Sequence, residues 1–252
     1  MSQQLDREAL GQILQAEDVE RLSLPELIKL FQAEEAIADS LPDGTWQIDP
    51  RSGDRVLFSS SRAHRPHDNL PPPDGPRAHQ ACAVCQGNTT GVVDVADLSE
   101  GFTFINKNLY PILYPMEADR SRRLHQQVGQ GLLPGGCVSR GLHFLQWTSS
   151  HHDRDWHNMG LADRVIVMQR LAALERKLLA EPWGLSRPSE PCGDWPGDRG
   201  LVLIIKNCGH LVGGSLAHGH QQIALSNIAP RRICDNWRFE RQRGETFSTY
   251  LM

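Results

Sequence analysis

The sequence predicts an α+β fold, with an N-terminal helical extension over residues 1–40 and one main domain over residues 41–252. Three patterns predict it. The first forty residues place apolar side chains at helical intervals, short β-branched and aromatic runs follow between Gly, Pro and Ser, and one long amphipathic stretch stands among those runs. A chain of 252 residues is long enough to bury a core without disulfide cross-links.

Each element follows from its local pattern. Residues 4–39 read as helical, and within Leu24–Ala36 the side chains of Leu24, Leu27, Ile28, Leu30 and Phe31 recur at helical intervals with Pro25 in the first turn. Thr45–Asp49 and Arg55–Ser60 flank the turn formers Pro50, Ser52 and Gly53, which predicts a hairpin. Pro66–Pro76 reads as a stiff surface connection. Phe102–Asn106 and His143–Ser149 read as strands, and the glycine-rich stretch Gln126–Gly141 as a loop. Over Leu161–Leu179, the spacing of Leu161, Val165, Met168, Leu171 and Leu178 predicts a helix with those residues on its packed face. Leu201–Ile205 is a continuous apolar run, expected as a central strand, and His218–Leu225 reads as another strand.

Composition excludes several functions. The formal net charge is −4, and no basic stripe gathers on a predicted element, so nucleic acid is not expected as a partner. The polar N-terminus MSQQLDREAL lacks an apolar signal region, and no stretch approaches the roughly 18 apolar residues of a membrane span. The chain reads as cytoplasmic. Six cysteines, mostly scattered, suggest a metal more than a disulfide framework.

Two motifs carry chemistry. In GGSLAHGHQQIAL, a strand would turn His218, His220 and Gln222 to one face, with about 7 Å between alternate residues. The small residues Gly213, Gly214 and Ser215 just upstream let backbone approach a ligand and aim N–H groups at an anion. Cys82 and Cys85 form a C-x-x-C pair, which suits a tetrahedral zinc knuckle or a redox pair. The pair does not precede a helix in a thioredoxin-like unit, which favours metal, with His79, His151, His152, His157 and His218 as candidate further ligands. His64, His67, His79 and His157 otherwise read as surface residues.

Five blocks in order resemble the galactose-1-phosphate uridylyltransferase family of the histidine-triad superfamily. RVLFSSSRAHRPHD is similar to its strand and R-x-x-R-P, through Arg62, Arg65 and Pro66. CAVCQGN resembles its zinc knuckle, INKNLYP its N-K/R-x-P segment with extra residues before the proline, and HFLQWTSSHHD its strand ending in S-P-x-H. NCGHLVGGSLAHGHQQ matches N-x-G-x-x-x-G-x-S-x-x-H-P-H-x-Q except that Gly219 replaces proline. The blocks span roughly residues 45–226.

The resemblance implies a histidine-triad-like antiparallel sheet with packed helices, and an enzyme that moves a nucleoside monophosphate between a nucleotide sugar and a sugar 1-phosphate. It implies His220 as nucleophile, Gln222 and Ser215 as hydrogen-bond donors to the phosphoryl group, and Arg62 and Arg65 as neutralisers of pyrophosphate. Asn207, Gly213 and Gly214 belong to the substrate-binding stretch. Cys82, Cys85, His152 and His218 would hold a structural zinc, with His151 as rival to His152. Family members continue through a second, related half that helps bind the hexose and build the dimer, whereas this chain ends 30 residues after Gln222. A homodimer, a phosphorylase or hydrolase using the same histidine, and a non-catalytic zinc-stabilised nucleotide-binding module stay open. Glycine at 219 leaves the backbone freer than proline would, so a less rigid strand is expected there.

Overall fold

A computed structural model describes residues 3–65, 81–116, 118–129, 136–182, 200–212 and 214–252. Pro66–Pro76, His67, His79 and Gly213 lie outside the described residues. The fold is α+β. In chain order come α1 (Arg7–Ile13), α2 (Leu24–Gln32), β1 (Thr45–Ile48), β2 (Arg55–Leu57), β3 (Val92–Asp97) and β4 (Phe102–Lys107), then α3 (Ala118–Gly129), β5 (Gly136–Val138) and β6 (Gly141–Trp147). The chain continues with α4 (Leu161–Ala180), β7 (Leu201–Ile205), β8 (His220–Ser226), α5 (Arg231–Arg243) and α6 (Phe247–Tyr250).

A five-stranded antiparallel sheet in the order β3-β4-β6-β8-β7 is the centre of the molecule, and a three-stranded sheet, β2-β1-β5, packs beside it without sharing its ladder. Because strand side chains alternate, the register of β6 on β8 sorts the large sheet into two faces. Leu142, Phe144, Ile223 and Leu225 face one way and pack with Leu27 and Phe31 of α2 and with Leu171, Leu174 and Leu178 of α4. On the other face, Phe104, Leu145 and Trp147 pack with Leu5, Leu10 and Val84, while Ala224 meets Trp46 of the small sheet. The open space between those two clusters becomes the site.

The N-terminal residues are woven into this body. Ser23 caps α2 and Glu26 returns the bond, a capping box worth about 1 kcal/mol. Val19, Leu24, Leu27, Phe31 and Ile37 sit in the same core as the large sheet. Arg170 of α4 pairs with Asp18 at 2.7 Å and with the buried Asp94 of β3, whose Oδ1 also accepts the N–H of Val19 at 2.9 Å. Further forward, Leu5 N–H donates to the carbonyl of Ser150 and His152 N–H to that of Gln3, both at 2.9 Å.

Four expectations are corrected. Gln126–Gly129 closes α3 and Gly136–Val138 forms β5, so the glycine-rich stretch is not simply a loop. The turn of α4 that packs on the sheet carries Val167, Leu171, Leu174 and Leu178, while Leu161, Val165 and Met168 are exposed. That helix is apolar on two sides, and spacing alone did not distinguish them. Leu201–Ile205 is an edge strand rather than a central one, with Ile204 and Ile205 exposed. Cys137 is disulfide-bonded, although the cysteines read as pointing to a metal more than to disulfides. No helix among the described residues is long and apolar enough to cross a membrane.

Candidate functional site

The site grows from the β6–β8 pair. Trp147 stands opposite His220, and Leu145 opposite Gln222, on the face turned away from α2 and α4. Trp147 is held by a hydrogen bond from its Nε1 to Asn106 Oδ1 at 2.9 Å, and Asn106 in turn donates to Thr89 and Thr90. The indole lies 5.2 Å from the ring of His218 and 5.0 Å from that of His220, so one rigid side chain backs both histidines. β8 itself begins at His220, and His218 belongs to the turn that leads into it.

Cys82, Cys85, His152 and His218 come together with their ligand atoms all within 4.8 Å of one another. His218 Nδ1 lies 3.7 Å from Cys82 Sγ and 3.5 Å from Cys85 Sγ, and His152 Nδ1 lies 3.8 Å from Cys85 Sγ. Around a tetrahedral zinc with bonds of about 2.3 Å to sulfur and 2.0–2.1 Å to nitrogen, sulfur and nitrogen ligands stand about 3.6 Å apart. The observed spacings therefore fit such an ion. The Nε2–H of His218 donates to the carbonyl of Ser149 at 2.8 Å, which leaves Nδ1 as the lone-pair nitrogen facing the sulfurs. The interaction of the two neighbouring sulfurs draws Cys82 well below the ordinary thiol range, helped by His218, and pushes Cys85 up, with burial acting in the same direction on Cys85. A divalent cation would relieve that crowding by accepting both sulfurs as thiolates. His151 instead makes a β-bridge with Gln4 and packs beside Gly101.

Next to the cluster a cleft of about 120 Å³ is lined by Arg62, Arg65, Asn108, Ser215, His220 and Gln222, with Val84, Leu145, Trp147 and Leu216 supplying apolar wall. It is smaller than an enclosed ligand pocket of several hundred Å³. His220 is buried at its edge, and its Nδ1 is 2.8 Å from the carbonyl oxygen of His218. A carbonyl only accepts, so Nδ1 carries the proton and Nε2 keeps a free lone pair. Burial holds His220 below its ordinary value, with the Lys206 charge acting in the same direction. Arg62 donates to the carbonyl of Tyr110 at 2.6 Å, and burial together with the neighbouring Arg65 lowers it to about 10. No carboxylate among the described residues pairs with Arg62, so its charge is available to an anion.

Gly214 and Ser215 reach the cleft, and a Cβ on Gly214 would stand 2.9 Å from the carbonyl oxygen of Gly209, which is why this turn admits only glycine. Asn207 is near this turn but does not line the cleft. Gly219 is not a loosened point. Asp155 fills the space where a side chain would be, its Oδ1 accepting from Thr148 Oγ1 at 2.9 Å, Trp156 N–H at 2.8 Å and Lys206 Nζ at 2.8 Å. Burial opposes ionisation of Asp155, yet the Lys206 bond and the other donors hold it below its ordinary value. Trp147, Asn106, His143, Asp155 and Lys206 were not singled out as site residues from sequence. Strand alternation from His220 and Gln222 could have flagged Trp147 and His143 only with the β6–β8 register known.

No protein-family model matches the sequence, and no curated protein matches it. Solved structures are similar to it. A uridylyltransferase matches 81% of this chain and 54% of its own at 20% identity and a TM-score of 0.48. An ADP-glucose phosphorylase from Arabidopsis thaliana, with ADP-glucose bound, matches 79% of this chain and 55% of its own at 17% identity and a TM-score of 0.45. A GalT-like protein from Arabidopsis thaliana matches 57% of this chain and 39% of its own at 16% identity and a TM-score of 0.37. The chain thus spans about half the length, or less, of the solved structures it is similar to.

Proposed function

We propose that the protein is a nucleotidyltransferase that forms a covalent nucleotidyl-histidine on His220. One observation carries the reading: the Nδ1–H of His220 is committed to the carbonyl of His218 at 2.8 Å, so the Nε2 lone pair is the nucleophile and needs no auxiliary base. The motif resemblance supplies the substrate class, a nucleotide sugar with a sugar 1-phosphate or similar acceptor, with galactose-type sugars the first to assay.

Nε2 attacks the α-phosphorus, a P–N bond forms, and the bond from phosphorus to the bridging oxygen breaks with its electron pair leaving on the sugar phosphate. In the return step a phosphate oxygen of the acceptor attacks the same phosphorus and the P–N electrons return to Nε2. Arg62 and Arg65 line the cleft where negative charge accumulates on the pyrophosphate, and forked guanidinium donors suit that task. Gln222 and Ser215 donate to phosphoryl oxygens, and Gly214 lets backbone come close. Zinc held by Cys82, Cys85, His152 and His218 would be structural, anchoring His218 two residues before the nucleophile.

Incubation with labelled nucleotide sugars followed by mass spectrometry should find a nucleoside monophosphate on His220. The adduct should vanish in His220→Ala while metal content is retained, since His220 is not in the Cys/His cluster. Normal turnover by His220→Ala overturns the assignment. Isotope exchange between sugar 1-phosphate and nucleotide sugar separates transfer to a sugar phosphate from release to water or inorganic phosphate.

A further inference from the structure

His143 lies in the middle of β6, almost wholly buried, on the same face as Leu145 and Trp147. Its Nδ1 is 3.1 Å from the backbone nitrogen of Ile112, and its Nε2 is 3.1 Å from Gln222 Oε1 and 3.2 Å from Asn108 Nδ2. A backbone N–H can only donate, so Nδ1 is the unprotonated nitrogen and the ring proton sits on Nε2. Asn108 Oδ1 is already taken by the N–H of Tyr110 at 2.9 Å, which turns its NH₂ toward the imidazole. A protonated Nε2 cannot accept from that NH₂, so its proton goes to Gln222 Oε1. The carbonyl side of the Gln222 amide is thereby held against His143. Its NH₂ is left for the cleft, where no acceptor among the described residues meets it.

We propose that His143 is a positioning residue for the transfer: by donating from Nε2 to Gln222 Oε1 it fixes the Gln222 amide with its NH₂ toward the reacting phosphoryl group. The inference rests on the reading of His220 as nucleophile. A glutamine amide is nearly symmetric in shape, and a flipped one would set its oxygen against a phosphoryl oxygen. The imidazole removes that choice, because its own pattern of one acceptor and one donor is imposed by the Ile112 backbone. Burial and the charge of Arg62 hold His143 down at about 3, so a second proton does not disturb the pattern at neutral pH.

The test compares His143→Leu, which has no donor, with His143→Gln, whose amide nitrogen stands near the Nε2 position. Nucleotidylation of His220 is followed in single turnovers with a nucleotide sugar. Because hydrogen bonds to charged groups are the strong ones, His143→Leu should slow transfer on the order of 10- to 100-fold. KM should change by less than about threefold, the signature of an interaction used in the transition state. His143→Gln should stay within roughly fivefold of wild type. In a Gln222→Ala background, His143→Leu should cost nothing further, since it acts through the missing amide. Nitrogen-15 spectra of the unmodified protein should show His143 protonated at Nε2 and bare at Nδ1, a readout independent of whether the leucine variant folds. If wild type labels His220 but His143→Leu transfers at the wild-type rate, costs as much without Gln222 as with it, or the spectra place the proton on Nδ1, the proposal alone falls. If wild type never labels His220, the nucleophile reading falls and the proposal with it.

Discussion

Gly219 stands where the resembled family carries proline, and the surroundings predict what any side chain there would cost. A Cβ at this position would lie 2.6 Å from Asp155 Cγ and 2.9 Å from both Asp155 Cβ and Oδ1. Its φ is outside the left-handed region, so alanine meets no backbone strain and only space decides. Asp155 cannot give way freely, because three donors fix its Oδ1. Retreating by most of an ångström would forfeit at least one of these bonds, worth about 1.5–3 kcal/mol to a charged group. Reduced freedom of the unfolded chain offsets about 0.4–1 kcal/mol. Gly219→Ala should therefore destabilise by about 0.5–2.6 kcal/mol net, a fall of roughly 1–10 °C in Tm for a chain of this size. Thermal and urea unfolding measure it. Adding Asp155→Ala should make the pair less than additive, as expected for residues in contact. A Gly219→Ala protein as stable as wild type, or strict additivity with Asp155→Ala, refutes the packing argument.

Other outcomes follow from features already described. Cys85→Ser, or treatment with a strong chelator, should lower bound zinc and Tm together, because a structural ion contributes its binding energy to folding; metal analysis beside calorimetry checks this. Asp94→Ala removes one carboxylate from Arg170, which keeps Asp18, and leaves the Val19 N–H without its acceptor, so urea unfolding should show a loss of about 1–3 kcal/mol. His143 has its folded value depressed from 6.5 to about 3, so the unfolded chain binds the extra proton and stability falls as pH drops below 6.5, levelling off near 3. The slope is at most about 1.4 kcal/mol per pH unit. Arg62 is the charged group that acts on this ring, and the segment of the pH–stability curve should flatten in His143→Gln.

Much of this arrangement was legible as spacing. Cys82 and Cys85 could be read as a metal knuckle, and His220 and Gln222 as one polar strand face, because ligand geometry and strand pleat depend on local sequence, whereas His218 falls in the bend before the strand that its spacing had suggested it joined. The hairpin of β1 and β2 announced itself through Pro50 and Gly53 for the same reason. What stayed hidden depends on partners distant in sequence. LVLII reads identically at the centre or the edge of a sheet, since an apolar run does not say how many neighbours it has. The helix end at Gln126–Gly129 lacks apolar periodicity, and its glycines suggested a loop. His143 looked like one more strand residue, for nothing in HFLQWTS reveals that Ile112 will offer a backbone N–H to one ring nitrogen and Gln222 an oxygen to the other.

The clasp around Gln3 bears on how the cysteine knuckle and the histidine segment are kept in register. Gln3 accepts the N–H of His152 through its carbonyl and that of Cys82 through its side chain, so one residue straps together two segments that each supply a ligand atom to the cluster. Replacing the Gln3 side chain with alanine should therefore loosen the cysteine segment, and amide exchange at Cys82 should rise.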